Sequence, residues 1–341
     1  MPLGGVGLST IWTQFSPPKD SAPITEKNIA SQMGKVFIVT GGSSGIGFEL
    51  SRILYAAGAK VYILSRTKSN IETAVKRIEE TCIGSSKDNP GSLHFIYMDL
   101  EDLESVQHAA TIFREKETRL DVLYCNAGLA VVPGNPKTKQ GLELHIGVNN
   151  IAHVLLERLL LPVLTTTAKM APKDSVRVVW ASTILLELGA PKGGIPISQL
   201  DSPGKNTNQN YAISKTAMWF AASELSKRHG RDTGVINIAG NPGTYLTNAW
   251  RTTPSYVYYP FRPLMRDPIF GAYTYLWMGL SDEVTMEDAV QGRYAICNGR
   301  WHPGQRGDLV LATRGMEEGG TGQAKEYMDW VERKIGAFLR V

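Results

Sequence analysis

The chain is predicted to form a single α/β domain, a doubly wound parallel sheet of about seven strands with helices on both faces. Three observations predict it. The stretch Gly34 to Gly47, GKVFIVTGGSSGIG, passes from a continuous apolar run, Val36 to Val39, through a glycine-rich turn into a helix starting near Ile46. A run that is apolar at every position suits a central strand covered on both sides. Further short apolar runs then alternate with helical stretches, the pattern of repeated βαβ units. Finally, 341 residues at 43% hydrophobic and 20% charged can bury a large core, and one domain with extensions accounts for them better than two equal halves.

Composition excludes several classes. The net charge of +4 is mild and its basic residues are scattered, so no nucleic-acid partner is expected. Cys82, Cys125 and Cys297 lie far apart without a C-x-x-C pair, which argues against a disulfide framework or a zinc site. His153 and Glu157 stand four apart on one helix face, a spacing read as packing or surface rather than as a metal site; no metal is expected. The start, MPLGGVGLSTIW, lacks the basic residues and cleavage site of a signal peptide, and no window reaches the roughly 18 uninterrupted apolar residues of a membrane span. A cytoplasmic protein without a transmembrane segment is therefore expected.

Residues 1 to 33 contain Pro2, Pro17, Pro18 and Pro23 and read as an extension packed on the outside of the domain, not expected to carry chemistry. The domain proper spans residues 34 to 300, and 301 to 341 form a tail with a final amphipathic helix from Gln323 to Leu339. In the first turn, Gly41, Gly45 and Gly47 fall where a tight turn, close approach to a pyrophosphate and close helix packing each require a missing side chain. The following helix aims its free N–H groups at that phosphate. Gly41 to Gly45 also satisfies the G-x-S-x-G nucleophile elbow with Ser43 as nucleophile, whereas the phosphate-loop pattern with Gly-Lys-Ser/Thr fails.

Phe48 to Ala57 continue that helix and Gly58 stops it; Lys60 to Leu64 form the second strand. Between Glu49 and Glu72 there is no acidic residue to bind a ribose hydroxyl, while Ser65 and Arg66 stand at the strand end. A guanidinium there complements a ribose 2′-phosphate and selects NADP(H); the plainer role is a solvated loop charge. Leu93 to Met98 are the third strand, ending at Asp99, whose carboxylate suits an adenine amino group, while the DLEDL segment equally suits helix N-capping. Leu120 to Cys125 are the fourth, closing on Asn126-Ala127-Gly128. A long helix from Gly141 to about Ala168, bent at Pro162, turns Asn149 among Val148, Ala152, Leu155 and Leu156, where an amide needs a partner.

Val176 to Ala181 are the fifth strand, ending in Ser182-Thr183. Tyr211 and Lys215 then share a helix face, and a phenol with an ordinary pKa near 10 becomes a usable acid or base beside a cation. Gly234 to Ala239 are the sixth strand, followed by Asn241, Pro242, Gly243 and Thr247, a loop suited to lie over a nicotinamide. Tyr256, Tyr258, Tyr259, Phe261, Phe270, Tyr273, Tyr275 and Trp277 read as a lid at about 245 to 285 over a bulky apolar substrate, with core or subunit interface as equal alternatives. Arg293 to Cys297 are the seventh strand.

Taken together, TGGSSGIG at 40 to 47, Asp99, NAG at 126 to 128, VNNIAHVLL with Asn149, YAISK at 211 to 215 and NPGTYLT at 241 to 247 make the chain resemble the short-chain dehydrogenase/reductase family, particularly its retinol-dehydrogenase-like branch in fungi. The resemblance covers about residues 33 to 300. It implies a Rossmann-type sheet binding NADP(H) and a hydride exchanged with a lipophilic ketone, aldehyde or alcohol, with a role in secondary metabolism. By resemblance Tyr211 carries the substrate proton, Lys215 lowers the tyrosine pKa and holds the nicotinamide ribose, Asn149 orders a relay water, and a serine hydroxyl binds the substrate oxygen. It also implies that Ser43, Ser44, Ile46, Leu100, Ala127 and Gly128 contact the cofactor, and it allows a homo-oligomer. The chain departs from the pattern at Thr183, where the substrate-facing serine of a pair belongs, and at Ala152, where the branch often has glycine. That altered pair keeps open an NADP(H)-binding protein of the same fold that performs a non-redox step, such as cyclisation, isomerisation or dehydration, or acts without catalysis.

Overall fold

The computed structural model describes residues 6–18, 22–82, 90–247, 259, 262 and 265–339. Seven parallel strands form its sheet: β1 (Val36–Thr40), β2 (Lys60–Ser65), β3 (Ser92–Tyr97), β4 (Val122–Cys125), β5 (Arg177–Ala181), β6 (Ile236–Gly240) and β7 (Tyr294–Ile296). They stand in the order β3-β2-β1-β4-β5-β6-β7. Winding reverses between β1 and β4, so the crevice beyond their carboxyl ends is where a ligand binds in such sheets. Strands β1, β4 and β5 are buried throughout, as central strands are, and apart from Thr40 and Arg177 they are built from apolar residues, Tyr124 and Cys125.

An eighth strand, β8 (Arg300–Trp301), pairs antiparallel with β7 and corrects the expected count of seven. Asn298 and Gly299, both at φ 68, reverse the chain into it. Two residues are too few for a period-2 pattern to register in a sequence.

The helices are α1 (Leu8–Phe15), α2 (Gly45–Ala56), α3 (Lys68–Cys82), α4 (Leu103–Lys116), α5 (Leu144–Ala168), α6 (Leu185–Gly189), α7 (Thr207–Leu225), α8 (Ile269–Leu280), α9 (Met286–Val290), α10 (Gly307–Thr313) and α11 (Gln323–Ile335). One apolar layer joins the sheet to α4, α5, α7 and α11, and a second joins its other face to α2 and α8. Each fully buried Leu, Ile or Phe in these layers contributes about 1.5–3 kcal/mol.

Two helices bear on the expectations above. Tyr256, Tyr258 and Phe261 lie outside the described residues, but α8 carries Tyr273, Tyr275 and Trp277 into the core against α2 and β5, so that part of the expected lid is core. Helix α5 contains a π turn at Gly147–Ile151, with Asn149 at its centre, and carries Pro162 in its interior. Helix α5 is also long and apolar enough to cross a membrane by length and composition, yet 67% of that window is buried inside the fold, packed by α4 and α7.

Candidate active site

The glycine turn is held open for a ligand by its own packing. Gly41 and Gly45 take left-handed φ values of 66 and 54, which side chains disfavour. A Cβ on Gly47 would stand 2.4 Å from the Gly41 carbonyl oxygen and 2.7 Å from Asn126 Nδ2. One on Gly41 would stand 3.1 Å from Ala127 Cα, and one on Gly45 3.0 Å from Thr247 Cγ2. The turn is therefore walled by Asn126, Ala127 and Thr247, residues from β4 and from beyond β6. Ser44 is the exposed N-cap of α2 and makes no side-chain cap, so the first N–H groups of the helix, with Ser43 and Ile46 beside them, face the turn.

Thr40, at the end of β1, stitches the crevice together. Its hydroxyl accepts from the backbone N–H of Asn126 (3.0 Å) and Ala127 (2.9 Å), while Asn126 Nδ2 donates to the Thr40 carbonyl (2.9 Å). Along the edge of the crevice, Arg66 follows Ser65 and ion-pairs with Glu101 at 2.5 Å, with Asp99 4.0 Å away. Asp99 accepts from the Glu101 N–H, and capping of α4 falls to Asp102. The Leu100 side chain is buried in the core, so only its backbone remains for a ligand.

The chemical centre is built from α5, α7 and the end of β5. The π turn frees Asn149 from a regular helical position, and its side chain accepts from Leu129 N–H (2.7 Å) and donates to Leu129 O (3.1 Å) and Ser214 Oγ (2.9 Å). Ser214 in turn donates to the Tyr211 carbonyl (2.7 Å). Lys215 Nζ donates to the Ala181 carbonyl (3.0 Å), and Ser182 Oγ donates to the Lys215 carbonyl (2.8 Å). The Ser182 side chain also lies by the Tyr294 phenol, whereas the Thr183 side chain lies by the Tyr211 phenol and favours its ionised form. Thr183 thus occupies the position beside the tyrosine, and Ser182 is turned into the protein. A Cβ on Gly128 would stand 2.8 Å from Asn149 Oδ1 and 3.4 Å from Lys215 Nζ, so a bare backbone faces both groups.

Burial governs the titration of this centre. Desolvation pushes Tyr211 up to about 12, against a downward pull from the Thr183 hydroxyl, and pushes Lys215 down to about 8. The Lys215 ammonium is engaged with the Ala181 carbonyl, and the Thr183 hydroxyl favours the phenolate.

A model of the short chain dehydrogenase family matches residues 35–180. Over 96% of its length the chain is 38% identical to the short-chain dehydrogenase/reductase iacJ of Pestalotiopsis fici, covering 97% of that protein, and over 97% of its length it is 37% identical to one from Phomopsis amygdali, covering 98% of it. The chain belongs to the short-chain dehydrogenase/reductase family. Among solved structures, one from Mycobacterium paratuberculosis superposes with a TM-score of 0.61 at 23% identity, covering 91% of this chain and 96% of that one. The RhlG/NADP active-site complex of Pseudomonas aeruginosa superposes at 0.58 and 21% identity, covering 75% and 94%. The relatives establish the family and the solved structures the fold, and none of them bears on a particular branch.

Within this short-chain dehydrogenase/reductase, four contributors to the site were not singled out as site residues from the sequence, His153 having been read there only as packing or surface. Ser214 is the missing partner of Asn149, Glu101 the counter-ion of Arg66, and Gln14, from the extension expected outside the domain, is buried against Asn241. The fourth is His153, fully buried: its Nδ1 donates to the Asn149 carbonyl (3.1 Å), which leaves Nε2 to accept from Thr40 (3.1 Å). Burial drives its pKa down to about 3, with the Lys215 charge adding to the effect, so the ring is neutral and links the crevice to the π turn. A cavity of about 190 Å³ between Leu103, Lys137, Leu142, Asp201 and Lys334 contains none of the residues of this centre.

Proposed function

We propose that the protein is an NADP(H)-dependent oxidoreductase that moves a hydride between nicotinamide and a lipophilic ketone, aldehyde or alcohol. The observation that carries this reading is the Tyr211 phenol beside the Thr183 side chain, with Lys215 four residues along the same helix and the glycine cradle across the crevice. The cradle fits a dinucleotide, because side chains are excluded at Gly41, Gly47 and Gly128 by backbone and amide groups on the opposite wall. Arg66 at the end of β2 favours the phosphorylated cofactor, whose 2′-phosphate would compete with Glu101 for the guanidinium.

The bound cofactor supplies or takes the hydride. Tyr211 Oη gives its proton to the substrate oxygen in reduction and takes it back in oxidation. Thr183 donates a hydrogen bond to the same oxygen and stabilises the charge that develops there. Lys215 contributes a buried cation on the tyrosine's helix face, and Gly128, Ser65, Asp99, Pro242 and Gly243 offer backbone or polar groups along the cofactor's path. Asn149 holds Leu129 and Ser214, and through them the backbone beside Tyr211.

The test mixes purified protein with NADPH or NADH and a panel of hydrophobic carbonyls. NADPH oxidation in step with alcohol formation is expected, faster than with NADH, and Tyr211→Phe should lower kcat by about 10²–10⁴-fold. Substrate that changes while NADPH is not consumed, or a Tyr211→Phe variant as active as the parent, overturns the reading.

A further inference from the structure

We propose that the amino-terminal helix α1 is a working part of this site, in which Gln14 is a positioning residue that ties the loop after β6 to helix α6 after β5. The proposal rests on the oxidoreductase reading above for its functional meaning, and on contacts within the chain for its geometry.

Helix α1 is oriented by a polar side chain. Leu8 and Trp12 are 79% and 62% exposed, while Gln14 is 2% exposed. A helix docked only to bury apolar surface would turn Trp12 inward. Here the buried group is an amide, which costs free energy unless its donor and acceptor are both used. Both are: Gln14 Oε1 accepts from Asn241 Nδ2 at 2.9 Å, and Gln14 Nε2 donates to the two carboxylate oxygens of Glu187 at 3.1 and 3.2 Å. One side chain thus spans residues 173 and 227 positions away in sequence.

The two groups it joins belong to the two loops of the proposed chemistry. Asn241 is followed by Pro242 and Gly243, and its Oδ1 accepts from the Gly243 N–H (3.0 Å), so fixing the Asn241 amide fixes the turn. Glu187 lies one helical turn past Thr183. Its carboxylate is buried, and besides Gln14 it accepts from His302 Nε2 (3.0 Å) and Gln305 Nε2 (3.3 Å). Gly304 N–H donates to His302 Nδ1 (3.1 Å), which puts the proton of a neutral ring on Nε2, facing Glu187. Arg306 lies against the carbonyls of α6 and pairs with Asp308. The backbone of α1 is held independently, by Arg300 to the Thr13 carbonyl (2.5 Å) and Cys297 Sγ to the Gln14 carbonyl (3.3 Å). Loss of the Gln14 side chain therefore loosens the clamp without undocking the helix.

The experiment uses the full chain with Gln14→Leu and Gln14→Glu. In Gln14→Leu, amide hydrogen exchange at residues 241–247 and 184–189 should quicken by about tenfold while β1 is unchanged, and the Kd for NADPH from fluorescence titration should weaken by about tenfold. In Gln14→Glu a second carboxyl faces Glu187, with His302 the other titratable group against it. Below the pKa of the pair one proton is shared and the clamp holds; above it the charges repel. NADPH affinity of Gln14→Glu should therefore recover as pH falls, a rescue that neither the parent nor Gln14→Leu shows. Exchange at both loops and NADPH Kd within about twofold of the parent, together with a pH profile of Gln14→Glu like the parent's, overturn the proposal. If the parent itself does not bind NADPH, the oxidoreductase reading fails, and the exchange measurement still decides whether Gln14 holds the two loops.

Discussion

The methyl group of Thr183 restricts its χ1, so its hydroxyl reaches Tyr211 from few rotamers. Thr183→Ala should lower kcat about 10²-fold with little change in substrate KM, Thr183→Ser should retain activity within about threefold, and steady-state kinetics distinguish them. Ser182→Ala, which acts on the Lys215 carbonyl, should cost less than Thr183→Ala. Lys215 presents a trade between function and stability. Its pKa is about 8 in the fold against an ordinary 10.5, so the unfolded chain holds the proton more tightly. Stability therefore rises with pH between those values, and below pH 8 the buried cation carries its full penalty. Lys215→Met should be inactive yet melt higher at pH 7, by an amount on the order of 1–3 kcal/mol, and the gain should fade toward pH 10 in thermal melts followed by circular dichroism.

At the scale of elements, the ends of β2 and β3 place Arg66 beside Glu101. Both are substantially exposed, so the pair is weak and salt-sensitive. Glu101→Gln should tighten NADPH binding severalfold at low salt without changing NADH binding, and Arg66→Ala should reduce the NADPH-over-NADH preference by about 10-fold or more, both read by titration of each cofactor. Strands β1 to β7 were legible because each is a run of apolar residues bounded by turn residues. Neighbours across strands were less so: nothing in the residues following Arg66 shows a carboxylate, because Glu101 comes from the turn after the adjacent strand. Ser182 and Thr183 illustrate another limit. Adjacent residues at a strand end face opposite ways, so the sequence shows that one of them meets Tyr211 but not which. Asn149 announced its need for a partner, yet Ser214 could be found only from the packing of α5 on α7.

For the molecule as a whole, the fold carries a second buried charge outside the site. Glu157 is fully buried in α5, its Oε2 has no hydrogen-bond partner among the described residues, and desolvation raises its pKa from 4.5 to about 7. The folded chain then binds more protons than the unfolded one between those values, so this group lowers stability as pH rises from 4.5 through 7. Glu157→Gln should flatten that slope by about 2–3 kcal/mol in urea unfolding followed across the range. The docking of α1 has a consequence for how the chain is made. Its partners, Glu187, Asn241, Cys297 and Arg300, are synthesised long after it, so a helix made well before the sheet is complete finds its place late. Until Arg300 has emerged, Gln14 is an unanchored amide on a short helix too weak to persist alone, and a bulky amino-terminal tag would meet this late step rather than the folding of the sheet.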